Sequence, residues 1–212
     1  RRATHRTADD VVAGVVKALR TYGADLAGGD TVATPGPLTA ALTLQGSVPA
    51  EAAVSRAGAR TGDRLLVTGF LGEPAAALRA LAARRRGLPR SLRERLTMPT
   101  PRMREGRYLA AAGVHAMIDL SDGLAGDVRH LLAPKNHGVL IEAARLPVAP
   151  ETAALCRRLG VPPWRIALEG GEDFELLAAV RAADADAVSR NVRRAAGLPC
   201  TDIGEILQIG RA

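Results

Sequence analysis

The sequence predicts an α/β (α+β) fold, and three observations carry that prediction. Asp63 to Thr68, a glycine loop from Gly69 to Pro74 and the alanine-rich stretch Ala75 to Ala83 read in order as strand, loop and helix, the unit of an α/β layer. Val114 to Ile118 is an apolar run that leads into Asp119-Leu120-Ser121-Asp122-Gly123, and Leu124, Val128, Leu131 and Leu132 beyond it repeat at helical spacing. Phe174 to Val180, Ala182 to Ala196 and Ile203 to Ile209 then read as strand, helix and strand.

Taken in order, the chain starts with a helix over Ala8 to Tyr22, where Val11, Val12, Val15, Val16 and Leu19 share a face and Lys17 and Arg20 suit the negative end of the dipole. Gly23 ends it in left-handed geometry. After the turn Gly28-Gly29-Asp30-Thr31, Pro37 to Val48 alternates Leu38, Ala40, Leu42 and Leu44 against Thr39, Ala41, Thr43 and Gln45, which predicts a half-buried strand closed by Pro49. A second unit begins near Glu51. Within it, Pro89 to Pro101 reads as an irregular connection and Glu105 to Ala112 as a helix. Val139 to Glu142 is a strand and Pro150 to Leu159 a helix. His115 reads as a core histidine.

Composition narrows the function classes. At 212 residues and 47% hydrophobic content the chain can bury a substantial core, enough for one domain or a domain and a half. No apolar run reaches the roughly 18 residues a membrane span needs, and no signal peptide opens the chain, so a soluble, cytoplasmic protein is expected. Cys156 and Cys200 form no CxxC pair and imply neither zinc nor a disulfide framework. The net charge of +7 is carried almost wholly by arginine, Lys17 and Lys135 being the only lysines. Such a balance suits nucleic acid or small anionic substrates. Aromatic content of 2% argues against single-strand binding, which needs stacking platforms. The densest run, Arg84-Arg85-Arg86 with Arg90, Arg93 and Arg95, reads as a solvated helix end and loop.

Three turns combine acids with glycine. Asp119 closes a strand, and Ser121 and Asp122 crown the helix that follows, where free N–H groups and the dipole favour oxygen anions. By itself that pattern fits an ordinary helix cap equally well. Gly28-Gly29-Asp30 follows one helix, and Gly170-Gly171-Glu172-Asp173-Phe174-Glu175-Leu176-Leu177 opens a late strand; in both, glycine pairs leave room for a ligand to approach the backbone. Taken singly, Asp30 serves as well to stabilise its own turn, Arg56 to pair with a surface acid, and Asp173 and Glu175 as polar positions at a strand start. Neither GxxxxGK[ST] nor a GxGxxG after a strand occurs, so a P-loop or dinucleotide fold is not supported.

Together with Ser55-Arg56-Ala57-Gly58-Ala59, Gly62-Asp63, Val67-Thr68-Gly69 and Leu71-Gly72, these turns resemble the thiamine-monophosphate kinase family, within the ATP-dependent group of aminoimidazole ribonucleotide synthetase. The Gly-Gly-Glu-Asp-Phe-Glu-Leu run is the most specific element, with Phe174 where tyrosine is common in the family. The resemblance implies phosphoryl transfer from ATP to thiamine monophosphate, with Mg2+ as cofactor. It implies that Gly29 and Asp30 contact ATP and a magnesium ion, Arg56 and Ser121 contact ATP, Asp119 and Asp122 hold magnesium, and Glu172 contacts the substrate. Separated aspartates suit Mg2+, which takes about six oxygen ligands and fills its shell with waters and phosphate oxygens. The Gly69 to Gly72 loop reads as structural.

The resemblance also sets the domain expectation. Residues 1–49 correspond to the last helix and strand of an N-terminal ATP-binding and dimerisation domain, and residues 50–212 to most of a C-terminal α/β domain. The arginine start and the abrupt end at Ala212 lead us to expect further chain on both sides, and a homodimer when complete. ATP and thiamine monophosphate are the expected partners, with no nucleic acid and no membrane. Rival readings are another enzyme of the same superfamily, a non-catalytic fragment that binds nucleotide or dimerises, and nucleic-acid binding through the arginines.

Overall fold

The structure is a computed structural model and describes residues 5–84, 87–132 and 137–208; Arg85, Arg86, Lys135 and Ile209 lie outside the described residues. Two compact units divide the chain, Arg1–Ser47 and Val48–Ala212.

In the first unit, α1 spans His5–Tyr22 with Val11, Val15, Val16 and Leu19 half-buried along one face. Gly23, at φ +69°, ends it as expected, and the N–H of Ala24 closes back onto the carbonyl of Leu19 at 2.9 Å. The predicted strand over Pro37 to Val48 does not form. These residues are exposed and have no hydrogen-bonded partner strand among the described residues, Leu42 and Leu44 standing 62% and 78% exposed. Alternation supplies a face for a sheet, but a strand without neighbours leaves its backbone polar groups to water and has no stability of its own.

The second unit is built on a five-stranded sheet. Its strands are β1 (Asp63–Thr68), β2 (Ala116–Leu120), β3 (His137–Ile141), β4 (Glu175–Arg181) and β5 (Cys200–Gln208), in the order β2-β4-β1-β5-β3. Every neighbouring pair is antiparallel. Between them run α2 (Glu73–Ala82), α3 (Arg90–Thr97), α4 (Met103–Ala111), α5 (Leu124–Leu132), α6 (Pro150–Leu159), α7 (Pro163–Glu169) and α8 (Ala185–Ala196).

The pleat sorts the apolar runs onto two faces. Leu65, Val67, Leu177 and Ala179 pack with Leu124, Val128 and Leu131 of α5, while Leu66, Ala178 and Val180 pack with Leu109 of α4 and Val188 and Val192 of α8. With both faces covered, the central strands read as continuous apolar runs rather than alternating ones. Each fully buried leucine contributes about 1.5–3 kcal/mol over an exposed one. A third cluster, Ala76, Ala77, Ala80, Leu92, Leu155, Cys156 and Ile166, joins α2, α3, α6 and α7.

Two helices differ from the sequence reading. The Pro89 to Pro101 connection contains α3, a polar helix with Leu92 as its buried residue, started by Pro89 and braced by Arg90 to Glu94 one turn on. One buried position in eight residues gives no readable period. The short α7 lies just before the Gly170 turn and was not anticipated. Arg95 also departs from the solvated reading of the arginine run, since its guanidinium reaches Glu73 and Glu175. Arg84, Arg90 and Arg93 are exposed as expected. Cys156 and Cys200 are buried free thiols, Cys200 pushed up to about 12 chiefly by burial. No helix among the described residues is long and apolar enough to cross a membrane.

Candidate functional site

Antiparallel pairing brings two distant turns to one end of the sheet. Leu120, last in β2, stands opposite Glu175, first in β4. The chain leaving β2 at Ser121 and the chain entering β4 at Gly171 therefore run side by side. The N–H of Glu172 donates to the carbonyl of Ser121 at 2.7 Å, and that of Phe174 to the carbonyl of Leu120 at 2.8 Å. The end of one strand thus meets the beginning of another.

Glycines make this approach possible, against protein backbone and not against a ligand. A Cβ on Gly171 would lie 2.6 Å from the carbonyl oxygen of Ser121, and one on Gly123, at φ +104°, 2.9 Å from that of Gly170. Gly28 and Gly29, in the first unit, have open space around them instead.

Asp119, half-buried Ser121 and Asp122 border an open cleft of about 550 Å3 together with Arg56, His130 and Leu176. Arg56 is held there because its own loop runs along the outer edge of β2. Met117 N–H donates to the carbonyl of Ser55 at 3.3 Å, and a Cβ on Gly58 would overlap the carbonyl oxygen of His115. Asp119, Asp122 and Arg56 are exposed, and among the described residues their side chains make no hydrogen bond or ion pair. A larger hollow of about 680 Å3 along α1, bordered by Val12, Val16, Lys17 and Arg20, contains none of the motif residues.

The cap of α5 is Asp127. Its Oδ2 accepts the N–H groups of Asp122 and Gly123, each at 3.1 Å, from a position only 2% exposed. Burial, with the Asp122 charge adding to it, raises its pKa, and the backbone N–H groups partly offset the rise. Sequence reasoning held the cap open as an alternative role for Ser121 and Asp122; an aspartate three residues into the helix curling back onto the preceding turn was missed. His130, one turn beyond, faces the same cleft and was missed as well.

Glu172 is exposed at φ +68° and does not border the cleft; its backbone is joined to it through Ser121. Below it the polar residues point inward. Glu175 is fully buried, bonded to Thr68 Oγ1 at 2.8 Å and to the guanidinium groups of Arg95 and Arg102. Asp173, 1% exposed, accepts the Gly72 N–H at 2.8 Å through Oδ1, while Oδ2 is buried with no partner among the described atoms. Burial pushes Asp173 up to about 8, Glu175 reinforcing the rise and Arg95 opposing it. These two are not mere polar positions at a strand start, and no local pattern announces Arg95 and Arg102 as their neighbours. His115 pairs Nδ1 with both oxygens of Asp63 at 2.9 Å, a structural role as expected.

Asp30 and Gly29 stand exposed in the first unit, where Asp30 Oδ1 accepts the N–H of Thr31 at 2.7 Å. Among the described residues no three acidic, histidine or cysteine side chains gather closely enough to hold a metal by themselves. Two unpaired carboxylates beside an arginine and a hydroxyl can bind a cation whose remaining ligands come from elsewhere, or an anion through that cation.

The family model for the AIR synthase related protein, C-terminal domain, matches residues 60–211. The chain is 36% identical over 193 residues to the thiamine-monophosphate kinase of Salmonella typhimurium, covering 89% of this chain and 57% of that protein. Among solved structures, the thiamine-monophosphate kinase of Stenotrophomonas maltophilia K279a superposes with a TM-score of 0.67 at 34% identity, over 74% of this chain and 51% of that one. AaThiL complexed with AMPPCP and TMP superposes with a TM-score of 0.62 at 29% identity, over 74% of this chain and 48% of that one. The chain spans little more than half the length of the curated relatives it matches.

Proposed function

The chain belongs to the AIR synthase related family, and from that premise we propose that it carries the C-terminal site of an ATP-dependent, magnesium-requiring thiamine-monophosphate kinase. The observation behind this reading is the meeting of two turns, one presenting the unpaired carboxylates Asp119 and Asp122 and the other the exposed Glu172. The names of the matched relatives, and the solved relative that holds AMPPCP and TMP, support the same choice of substrates.

In the reaction, an oxygen of the acceptor's phosphate bonds to the γ-phosphorus of ATP as the bond to the β,γ-bridging oxygen breaks, and ADP leaves with that electron pair. A phosphate monoester has a second pKa of about 6 and is already mostly dianionic at neutral pH, so it needs no general base. The protein's task is alignment and charge neutralisation. Magnesium, when bound, offsets the phosphate charge; Asp119 and Asp122 would hold it, and two free carboxylates fit an ion that completes its shell with water and phosphate oxygens. Arg56 and the Ser121 hydroxyl face the nucleotide phosphates. Glu172 takes the thiamine moiety, whose cationic ring and amino N–H groups suit a carboxylate. Asp30 and Gly29 are further magnesium and ATP contacts in the first unit.

Within this reading residues 1–49 end an N-terminal ATP-binding and dimerisation domain and residues 50–212 form the C-terminal domain. The enzyme is a cytoplasmic homodimer. The test is formation of thiamine diphosphate from thiamine monophosphate and ATP, with magnesium present or chelated, in the wild type and Asp119→Asn. Product that needs magnesium and is lost in the variant is expected; magnesium-independent turnover, or an Asp119→Asn enzyme as active as wild type, overturns the reading.

A further inference from the structure

We propose that Asp173 is a positioning residue for substrate recognition: its buried carboxyl pins the turn that carries Glu172 to the start of α2, and so sets where the Glu172 carboxylate stands for the thiamine moiety. This rests on the reading of Glu172 as the acceptor contact.

Three observations carry it. Among the described residues three non-glycine positions have a left-handed backbone, Arg84, Glu172 and Phe174, and two of them flank Asp173. Side chains avoid that region, so such a conformation persists only where the surroundings hold it. The backbone bonds from Glu172 to Ser121 and from Phe174 to Leu120 hold the turn on one side.

On the other side the anchor is the Asp173 side chain. Its Oδ1 takes the N–H of Gly72 at 2.8 Å. Gly72 is itself closely packed, at φ +80° with space for a Cβ closed by Ile166 Cγ2 at 2.6 Å, and α2 starts at the next residue. The third observation is Oδ2, buried and without a hydrogen-bond partner among the described residues. An ionised carboxylate would leave a charge there, whereas a neutral acid leaves only a weakly unsatisfied hydroxyl.

The charged groups facing Asp173 are Glu175, Glu73 and Arg95. Burial leads and the two glutamates add to it, holding the acid protonated up to about pH 8. Above that, ionisation places a second negative charge beside Glu175 and loosens the turn. The neutral form is therefore the one that positions Glu172.

The experiment measures KM for thiamine monophosphate and for ATP separately, from pH 6.5 to 9.5, on the full chain and on Asp173→Ala, Asp173→Asn and Glu172→Gln. Asp173→Ala is expected to raise the thiamine-monophosphate KM about ten-fold at pH 7, the order expected when one buried hydrogen bond is lost, with the ATP KM within about two-fold. Asp173→Asn, whose amide oxygen still accepts from Gly72, should restore the KM and remove the rise expected of wild type above pH 8.

An Asn variant that rises with pH as wild type does overturns the proposal, and this holds even if the Ala variant fails to fold. So does an Ala variant that weakens ATP and thiamine monophosphate equally. If Glu172→Gln raises the thiamine-monophosphate KM and Asp173→Ala does not, the positioning role fails and the reading of Glu172 stands. If Glu172→Gln leaves that KM unchanged, the reading itself fails and takes the proposal with it.

Discussion

Glu172 and Ser121, far apart in the chain, share a backbone hydrogen bond of 2.7 Å that joins the two acid turns of the site. The bond exists because Gly171 lets the two backbones approach. Adding a methyl at Gly171 places a Cβ 2.6 Å from the Ser121 carbonyl oxygen, with no flexible side chain to yield. Gly171→Ala should cost about 1–3 kcal/mol, the usual penalty of forcing atoms into a packed site. Urea denaturation checks it; an unchanged midpoint shows that the turns are not held by this contact.

The division of labour between Asp122 and Asp127 gives a paired prediction. Asp127 carries the cap, so Asp127→Ala should destabilise the fold by about 0.5–2 kcal/mol. Asp122, exposed and unpaired, should tolerate Asn within about 0.5 kcal/mol. Its activity at saturating magnesium should nonetheless fall by about a hundred-fold or more, the scale on which one electrostatic stabiliser of a transition state is felt. Thermal melts and turnover on the same samples separate the two roles. Near-normal turnover in Asp122→Asn removes Asp122 from the proposed metal site.

Glu175, fully buried, holds two guanidinium groups and the Thr68 hydroxyl. Replacing Arg102 by Met takes away one partner and leaves the rest of a buried charge cluster unbalanced. A loss of about 3–5 kcal/mol is expected, as for other broken buried pairs. Chemical denaturation of Arg102→Met measures it, and a loss below about 1 kcal/mol would mean that Arg95 alone satisfies Glu175.

Asp173 makes stability depend on pH in a direction opposite to that of a paired surface acid. Its carboxyl titrates at about 8 in the folded chain against 3.8 for the free group. Between those values the folded state keeps a proton that the unfolded state has released, so raising the pH favours unfolding. The contribution is complete below about 3.8, declines by up to about 1.4 kcal/mol per pH unit, and is gone once the pH has passed about 8. Asp173→Asn lacks this term. Its stability relative to wild type should climb from pH 5 to pH 8 and level off above; a constant difference across that range shows that Asp173 ionises normally.

The first unit leaves Leu38, Leu42 and Leu44 in water, spaced along one side of an alternating segment. A segment with strand pattern and unpaired backbone recruits another chain. We expect concentration-dependent self-association by light scattering, weakened in the double variant Leu42→Glu/Leu44→Glu. A monomer at every concentration tested would rule out this segment as the contact.

Most elements of the second unit were legible because their signals are local. Asp63 to Thr68 and Phe174 to Val180 are built around the apolar stretches Leu65 to Val67 and Leu176 to Val180, and both are strands in the structure within a residue or two; Pro150 to Leu159 carries proline at its first turn and glycine after its last, and α6 has those bounds. The misses had no such signal. The short α3 buries one leucine, and the alternating segment at 37–48 has a strand's pattern without a strand's partner.

The sequence by itself determined where the candidate site residues lie: the aspartates at 119 and 122, the serine between them, and the glycine pair with Glu172 are legible as types and spacings. Only the tertiary structure decided how they are held. That Leu120 stands opposite Glu175, that Asp127 and not Asp122 caps α5, and that Asp173 and Glu175 turn inward to Gly72 and two arginines all depend on the pairing of β2 with β4 and the packing of α2 and α3 beside it. The physical reason is that helix and strand periods depend on neighbours along the chain. The fate of a buried carboxylate depends instead on which donors the fold brings within about 3 Å of it.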